Sequence, residues 1–267
     1  MGAKLERRVA LVTGAARGQG RAHCLRLALD GADVIALDSC ESNPAVDYPM
    51  PTPEDLDETR RLVEALGRRC QTAVVDVRDE AGMFAAIDEA VARLGRLDVV
   101  VANAGICAVG RAADIDAGAF AAILDVNLTG AWTTCRAALP HLEAGASIIL
   151  ISSSAGIKGL PFFAAYSASK QGLVGIMQSL ALELADRSIR VNTVHPTGVA
   201  TVMTTGLGAL GDLIEAQPST GPLFLNSLPV DVVDETDVAS AVAFLASDGA
   251  RHITGLQLTV DAGMSIR

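Results

Sequence analysis

Val9-Ala10-Leu11-Val12-Thr13-Gly14-Ala15-Ala16-Arg17-Gly18-Gln19-Gly20-Arg21 is the stretch on which the fold turns. A short apolar run rich in β-branched residues reads as a buried strand, and the glycines fall where that strand gives way to a helix near Arg21. Glycine lets the backbone turn tightly and approach a ligand closely. The free N–H groups of a helix start then attract an anion such as a pyrophosphate. The spacing departs from G-x-G-x-x-G, and a glycine-rich turn alone is a weak signal. Its position at the first strand-to-helix junction gives it meaning.

Outward from this stretch the rhythm repeats. Strand-like runs are expected at 9–13, 33–37, 72–76, 98–102, 147–152, 190–195 and 256–260, with helical spacing at about 18–30, 54–69, 79–94, 116–142, 165–186 and 235–247. Continuously apolar strands separated by helices imply a parallel sheet covered on both faces, with right-handed crossovers. The expected fold is therefore α/β: a doubly wound (Rossmann) parallel seven-stranded sheet in a single domain, 1–267. Two stretches interrupt the rhythm. Residues 40–53, rich in proline and turn formers, form a long excursion after the second strand. Residues 199–231 are apolar, broken by Pro218, Pro222 and Pro229, and read as a mobile lid over a ligand.

Composition narrows the function. The chain has 267 residues, 50% of them hydrophobic, and a formal net charge of −10. That balance argues against a nucleic-acid or anionic-membrane partner, both of which reward Lys/Arg surfaces. The charged start at 1–8 leads straight into a strand, and no apolar run reaches the ~18 residues needed to span a bilayer, so a cytoplasmic protein is expected. Cys24, Cys40, Cys70, Cys107 and Cys135 are scattered and read as reduced thiols rather than a zinc site.

The strand ends carry the chemistry, because ligands of open parallel sheets bind beyond the carboxyl ends of the strands. Gly14, Arg17, Gly18, Gln19 and Gly20 face a pyrophosphate. Asp38, followed by Ser39, ends the second strand, where a carboxylate accepts from both ribose hydroxyls of an adenosine and repels a 2′-phosphate; NAD is expected over NADP. Asp76-Val77 closes the third strand, with the carboxylate available to an adenine amino group. Asn103-Ala104-Gly105 closes the fourth, where small residues permit close cofactor approach.

Tyr166-Ser-Ala-Ser-Lys170 adds a reactive pair one helical turn apart. The Lys170 ammonium can reach towards the Tyr166 phenol and favour its ionised form, which makes a group of ordinary pKa ~10 a proton-transfer candidate near neutral pH. A hydroxyl from the run Ser152-Ser153-Ser154 could bind the substrate oxygen; on the residues alone, all three remain open. His195, at a strand end, reads as a structural hydrogen-bonder. Trp132 reads as a core or subunit contact.

Together, Thr13-Gly14-x-x-x-Gly18-x-Gly20, Asp38, Asp76-Val77, Asn103-Ala104-Gly105, Asn127, Ser153, Tyr166-x-x-x-Lys170 and Pro196 with Val199 and Thr201 resemble the short-chain dehydrogenase/reductase family over essentially the whole chain. Within it the chain looks most like the mycofactocin-coupled, carveol-dehydrogenase-like branch, on Thr-Gly-Ala-Ala-Arg-Gly-Gln-Gly-Arg at 13–21, the excursion ending in Thr-Pro-Glu-Asp-Leu, and the run from Val194 to Met203. The resemblance implies a catalytic set of Asn127, Ser153, Tyr166 and Lys170, and it selects Ser153 among the three serines. It implies that Lys170 also reaches the nicotinamide ribose and that Pro196, Val199 and Thr201 wrap the carboxamide. It further implies a tightly held NAD, a redox-carrier peptide as electron acceptor, and a homotetramer. The 204–226 segment is shorter than in carveol-type enzymes, and Gly198 stands where the branch has Asn. Apolar lid residues such as Met203, Leu207 and Leu213 suit a hydrophobic alcohol or ketone of terpenoid, steroid or alicyclic type. Two other readings compete: a nucleotide-binding scaffold or sensor without turnover, which Tyr166 and Lys170 speak against, and an epimerase or dehydratase, which would need a longer C-terminal region.

Overall fold

The computed structural model describes residues 4–267; Met1–Ala3, part of the charged lead, lie outside the described residues. In chain order the elements are β1 (Val9–Thr13), α1 (Gly18–Leu29), β2 (Asp33–Asp38), α2 (Pro53–Ala65), β3 (Cys70–Val74), α3 (Glu80–Leu94), β4 (Leu97–Ala102), α4 (Ala117–Leu124), α5 (Gly130–Ala138), β5 (Leu142–Ile151), α6 (Ala164–Glu183), β6 (Arg190–Pro196), α7 (Val202–Thr205), α8 (Ala209–Ala216), α9 (Glu235–Ala246) and β7 (Gln257–Val260). Every pairing is parallel, in the order β3-β2-β1-β4-β5-β6-β7. The order reverses between β1 and β4, which opens a crevice at their carboxyl ends.

The strands are apolar throughout because each feeds two cores. Leu11, Ile35, Val100, Ile148 and Val191 point into a cluster with Met83 and Ile87 of α3, Cys135 of α5 and Leu173 and Met177 of α6. On the same strands Val12, Val34, Val101, Ile149 and Val194, each an odd number of residues away, point the other way, onto Cys24 and Leu27 of α1, Leu56 of α2 and Val242 and Leu245 of α9. This is the period-two alternation of a strand, with both faces buried.

Several boundaries differ from the expectations. β3 pairs Val34 with Cys70 and ends at Val74, two residues before Asp76, so Asp76 lies in the following loop rather than closing the strand. As an edge strand with only one neighbour, it buries less and its apolar pattern is weaker. The helix expected at 116–142 is divided: a π-helical turn at Asp125–Thr129 separates α4 from α5, and Pro140, which cannot continue the hydrogen-bond ladder, sits in a 3-10 turn before β5. α2 stops at Ala65, short of 69, with Gly67 beyond it at φ +75°. The 199–231 stretch contains α7, α8 and a 3-10 turn at Pro218–Phe224, and no named strand. Trp132 is 38% exposed, so it is not a core residue. All five cysteines are free, four of them buried. Among the described residues no helix is long and apolar enough to cross a membrane.

Candidate active site

The loop from β1 to α1 is closed by contacts that admit nothing larger than glycine. Gly14 has φ +65°, and a Cβ there would lie 2.9 Å from Ala104 Cα; a Cβ on Gly20 would fall 1.9 Å from the Gly14 carbonyl oxygen. Asn103 braces the same turn from β4, its side-chain amide donating to the carbonyls of Thr13 (2.9 Å) and Gly14 (3.3 Å). Thr13 Oγ1 accepts the N–H groups of Asn103 and Ala104 in return. Above this cradle runs a cleft of about 580 Å³. Of the residues expected at the cofactor, all but Pro196 and Val199 line it; of the four expected catalytic residues, Tyr166 and Lys170 line it, Asn127 is buried, and Ser153, partly exposed, is next to the lining residue Ser152. Val199 turns its side chain into the second core and pairs with Val233, which leaves Thr201 to reach the cleft.

The charges along the cleft are already partly engaged. Asp38 is buried; its carboxylate accepts the N–H of Ala16 (2.9 Å) and, more weakly, of Cys40 (3.3 Å). Burial raises its pKa, and these N–H bonds oppose the rise. The Arg17 guanidinium is committed to the Pro49 carbonyl of the excursion, so it is not held ready for a 2′-phosphate. Asp76 is gripped by Arg78, 2.5 Å between Nη2 and Oδ2. Burial pushes its pKa up, but the Arg78 contacts outweigh it and leave the carboxyl below its usual range. It lines the cleft as half of an ion pair rather than as a free acceptor.

At the far end Ser153 is fully extended (φ −167°, ψ 165°), and successive side chains of extended backbone point to opposite sides. Ser152 Oγ accordingly turns inward to the Lys170 carbonyl (2.9 Å) and Ser154 Oγ to Met264 Sδ (3.2 Å). Ser153 is the serine whose hydroxyl acts on Tyr166, drawing its pKa down. Its carbonyl accepts from His195 Nδ1 at 2.9 Å, which fixes the His195 tautomer and leaves Nε2 to accept from Thr193 Oγ1 at 2.7 Å. His195 is thus a buried structural hydrogen-bonder, as its position implied.

Lys170, 4% exposed, donates from Nζ to the Ile151 carbonyl at 2.8 Å and lies 5.5 Å from the Tyr166 ring centroid. Burial lowers its pKa to about 8. Burial also dominates at Tyr166 and raises the phenol above its ordinary value. The expectation that Lys170 pulls the Tyr166 pKa down is therefore not met: burial raises the phenol, and the ammonium is aimed at a carbonyl rather than at the phenol oxygen. Asn127 sits in the π-turn with its side chain fully used, accepting the Ile106 N–H (2.8 Å) and donating to Ile106 O (2.9 Å) and Ser169 Oγ (3.1 Å). It approaches Lys170 across Gly105, where a Cβ would meet Asn127 Oδ1 at 3.2 Å and Lys170 Nζ at 3.4 Å.

Sequence reasoning missed Tyr48. It lies in the excursion, buried, with its hydroxyl accepting the Cys107 N–H at 3.0 Å and its side chain against Gly206, where a Cβ would come within 2.5 Å of the Tyr48 Cβ and 2.9 Å of its ring. The excursion thereby bridges from the end of α7 to the loop after β4, across the cleft. The available signal was that Tyr48 is one of only two tyrosines in the chain, set among turn formers.

A cleft at the switch point of a doubly wound sheet, floored by glycine and ending at a tyrosine–lysine pair, defines a dinucleotide-dependent oxidoreductase. Known proteins agree. The family model described as Enoyl-(Acyl carrier protein) reductase matches residues 14–265. The chain is 44% identical to (-)-trans-carveol dehydrogenase of Rhodococcus erythropolis over 99% of its own length and 100% of the relative's. Two solved structures superpose closely: a short chain dehydrogenase from Mycobacterium paratuberculosis bound to NAD (46% identity, 99% and 100% of the two chains, TM-score 0.96) and carveol dehydrogenase from Mycobacterium avium in complex with NAD (42%, 99% and 100%, TM-score 0.92). The chain belongs to the short-chain dehydrogenase/reductase family, and its similarity is to carveol-dehydrogenase-like members.

Proposed function

We propose that this protein interconverts a hydrophobic secondary alcohol and its ketone by NAD-dependent hydride transfer. The observation that carries the reading is the convergence of Tyr166, Ser153 and Lys170 at one end of a glycine-floored cleft whose other end holds a buried carboxylate, Asp38, bonded to backbone N–H groups and without an ion-pair partner among the described residues. When bound, NAD supplies the hydride acceptor at its nicotinamide ring. Asp38 accepts the adenosine ribose hydroxyls, the 14–20 turn cradles the pyrophosphate, and Thr201, with the backbone of Pro196 and Val199, holds the carboxamide. Lys170 holds the nicotinamide ribose. Tyr166 exchanges the proton of the substrate oxygen, and Ser153 donates a hydrogen bond to that oxygen as charge develops on it. Asn127 fixes the loop after β4 and backs Lys170 on the route by which the proton reaches solvent.

The remaining segments fit the same reading. The 199–231 segment, with Met203, Leu207 and Leu213, covers an apolar terpenoid, steroid or alicyclic substrate. The excursion, clasped by Tyr48 and Arg17, slows dinucleotide exchange, and a redox-carrier peptide of the mycofactocin type would then reoxidise the bound cofactor. The free cysteines suit a reducing cytoplasm. Phe120 and Trp132, together with Leu182 of α6, are exposed apolar residues on the helices that form tetramers in the family, so the active form is a homotetramer with two-fold interfaces. Light scattering at micromolar protein should report four subunits; a monomer alone would refute this assembly.

Native mass spectrometry of the purified protein tests the cofactor directly, with bound NAD as the expected result. With cofactor-free protein, NAD should bind more tightly than NADP. Asp38→Ala should weaken NAD by about 10- to 100-fold, the worth of one charge-assisted hydrogen bond at ~1.5–3 kcal/mol, and narrow the gap between the two. Equal or tighter NADP binding by the unaltered protein would rule out the assignment.

A further inference from the structure

The residues after β7 fold back beneath the loop that carries Ser153. Ala262 and Gly263 take consecutive positive φ values of 48° and 78°. Asp261 fixes this reversal by accepting the N–H groups of Gly263 (3.1 Å) and Ser265 (2.8 Å). The turn drives Met264 into the interior, where it is 4% exposed. Its sulfur lies 3.2 Å from both Ser154 Oγ and Thr197 Oγ1, and its carbonyl accepts from the Lys158 ammonium at 2.8 Å.

The two hydroxyls are not equivalent, because each has a single proton to give. Thr197 has a better acceptor in Asn226 Oδ1, 2.8 Å away, since an amide oxygen accepts more strongly than a thioether. Asn226 is held in turn by the carbonyls of Val230 and Asp231. Ser154 Oγ has Met264 as its partner and no other among the described residues. Residue 264 thus grips the segment after Ser153 at two points, Ser154 and Lys158, while His195 grips the Ser153 carbonyl from the side of β6.

We propose that Met264 is a positioning residue for Ser153: the carboxyl-terminal turn braces the serine loop from behind and keeps the Ser153 hydroxyl aimed at Tyr166. The proposal rests on the reading of Ser153 as the group that holds the substrate oxygen. It also carries an asymmetry. The Thr197 loop, next to the expected carboxamide contacts, keeps its anchor on Asn226 when the Met264 side chain is altered, whereas Ser154 loses its side-chain partner and the serine loop is left with the backbone-held Lys158 contact and the His195 bond. Hydride transfer should therefore suffer while dinucleotide binding does not.

The test is a double-mutant cycle on the full-length protein, read as single-turnover hydride transfer from a secondary alcohol with saturating NAD. Met264→Ala should slow transfer by about tenfold, within the ~10² that a displacement of about 1 Å can cost. Its dinucleotide affinity should stay within about twofold of the unaltered protein, and in a Ser153→Ala background the same change should add less than about twofold. Met264→Leu, which keeps the volume and loses the sulfur acceptor, guards against misfolding: it should melt close to the unaltered protein and still transfer hydride more slowly. Unaltered rates in both Met264 variants, or a Met264→Ala effect undiminished beside Ser153→Ala, would overturn the brace alone. If Ser153→Ala itself reacts at the unaltered rate, the reading of the active site is at fault and the brace falls with it.

Discussion

Tyr166→Phe is expected to lower single-turnover hydride transfer by about 10²–10⁴-fold, the range a positioned acid or base contributes, while dinucleotide binding stays nearly intact. The phenol faces the substrate end of the cleft, and the cofactor contacts argued above come from other residues. Retention of more than about a tenth of the rate would rule out proton transfer by Tyr166. Ser153→Ala should cost on the order of 10²–10³, the usual effect of removing one donor to a developing oxyanion. The pH dependence follows from burial, which holds the phenol above its ordinary value and keeps it protonated through neutrality. Protonated Tyr166 is the form that gives a proton to a ketone oxygen, so Tyr166 by itself leaves reduction flat from about pH 6 to 9, and any fall within that range should follow the loss of the Lys170 proton at about 8. Alcohol oxidation needs the phenolate, whose fraction rises about tenfold per pH unit below the pKa. An oxidation rate independent of pH over that range would sink this account of the titration.

Lys170→Met should damage two functions at once, cutting transfer by about 10²-fold or more and loosening the dinucleotide, because the ammonium lies 5.5 Å from the Tyr166 ring centroid and is assigned to the ribose. Its effect on stability should run the other way with pH. Folding lowers the Lys170 pKa from 10.5 to about 8. The unfolded chain therefore binds the proton more readily, and the folded state loses stability as pH falls from 10.5 to about 8 and carries that deficit below it. Replacing the ammonium relieves the deficit, at the cost of an Ile151 carbonyl left without its donor. The melting temperature of Lys170→Met relative to the unaltered protein should thus be most favourable near neutrality and become less favourable towards pH 10. A difference that does not change with pH would show that Lys170 is not buried as a depressed amine.

The central sheet and the glycine turn that floors the cleft were legible in the chain because each depends on local regularities. Leu11 and Val12, or Ile148 and Ile149, are both apolar because the two faces of the sheet are both buried, and that doubled burial is what a continuous apolar run records. Gly14 and Gly20 are glycine because backbone atoms come within 3 Å of where a Cβ would stand. Tyr166 and Lys170 lie four apart on α6, so helical periodicity alone places them together.

Contacts between residues far apart in the chain were not legible, since no period or spacing encodes them. The choice among Ser152, Ser153 and Ser154 on residues alone required the extended backbone at 153 and the partners of the other two, Lys170 and Met264. The π-turn that presents Asn127 to Ile106 has no sequence period of its own. Tyr48 meets Cys107, 59 residues away, and Ser154 meets Met264, 110 residues away. The sign of the Tyr166 shift was likewise set by tertiary structure, because spacing brings a cation near a phenol whereas desolvation depends on everything packed around it. The sequence by itself determined the sheet, the glycine cradle and the tyrosine–lysine pair, all fixed by local backbone and helix geometry. Only the tertiary structure decided which serine acts on Tyr166, what spans the cleft and which way the phenol titrates, because those depend on distant segments meeting and on the water they exclude.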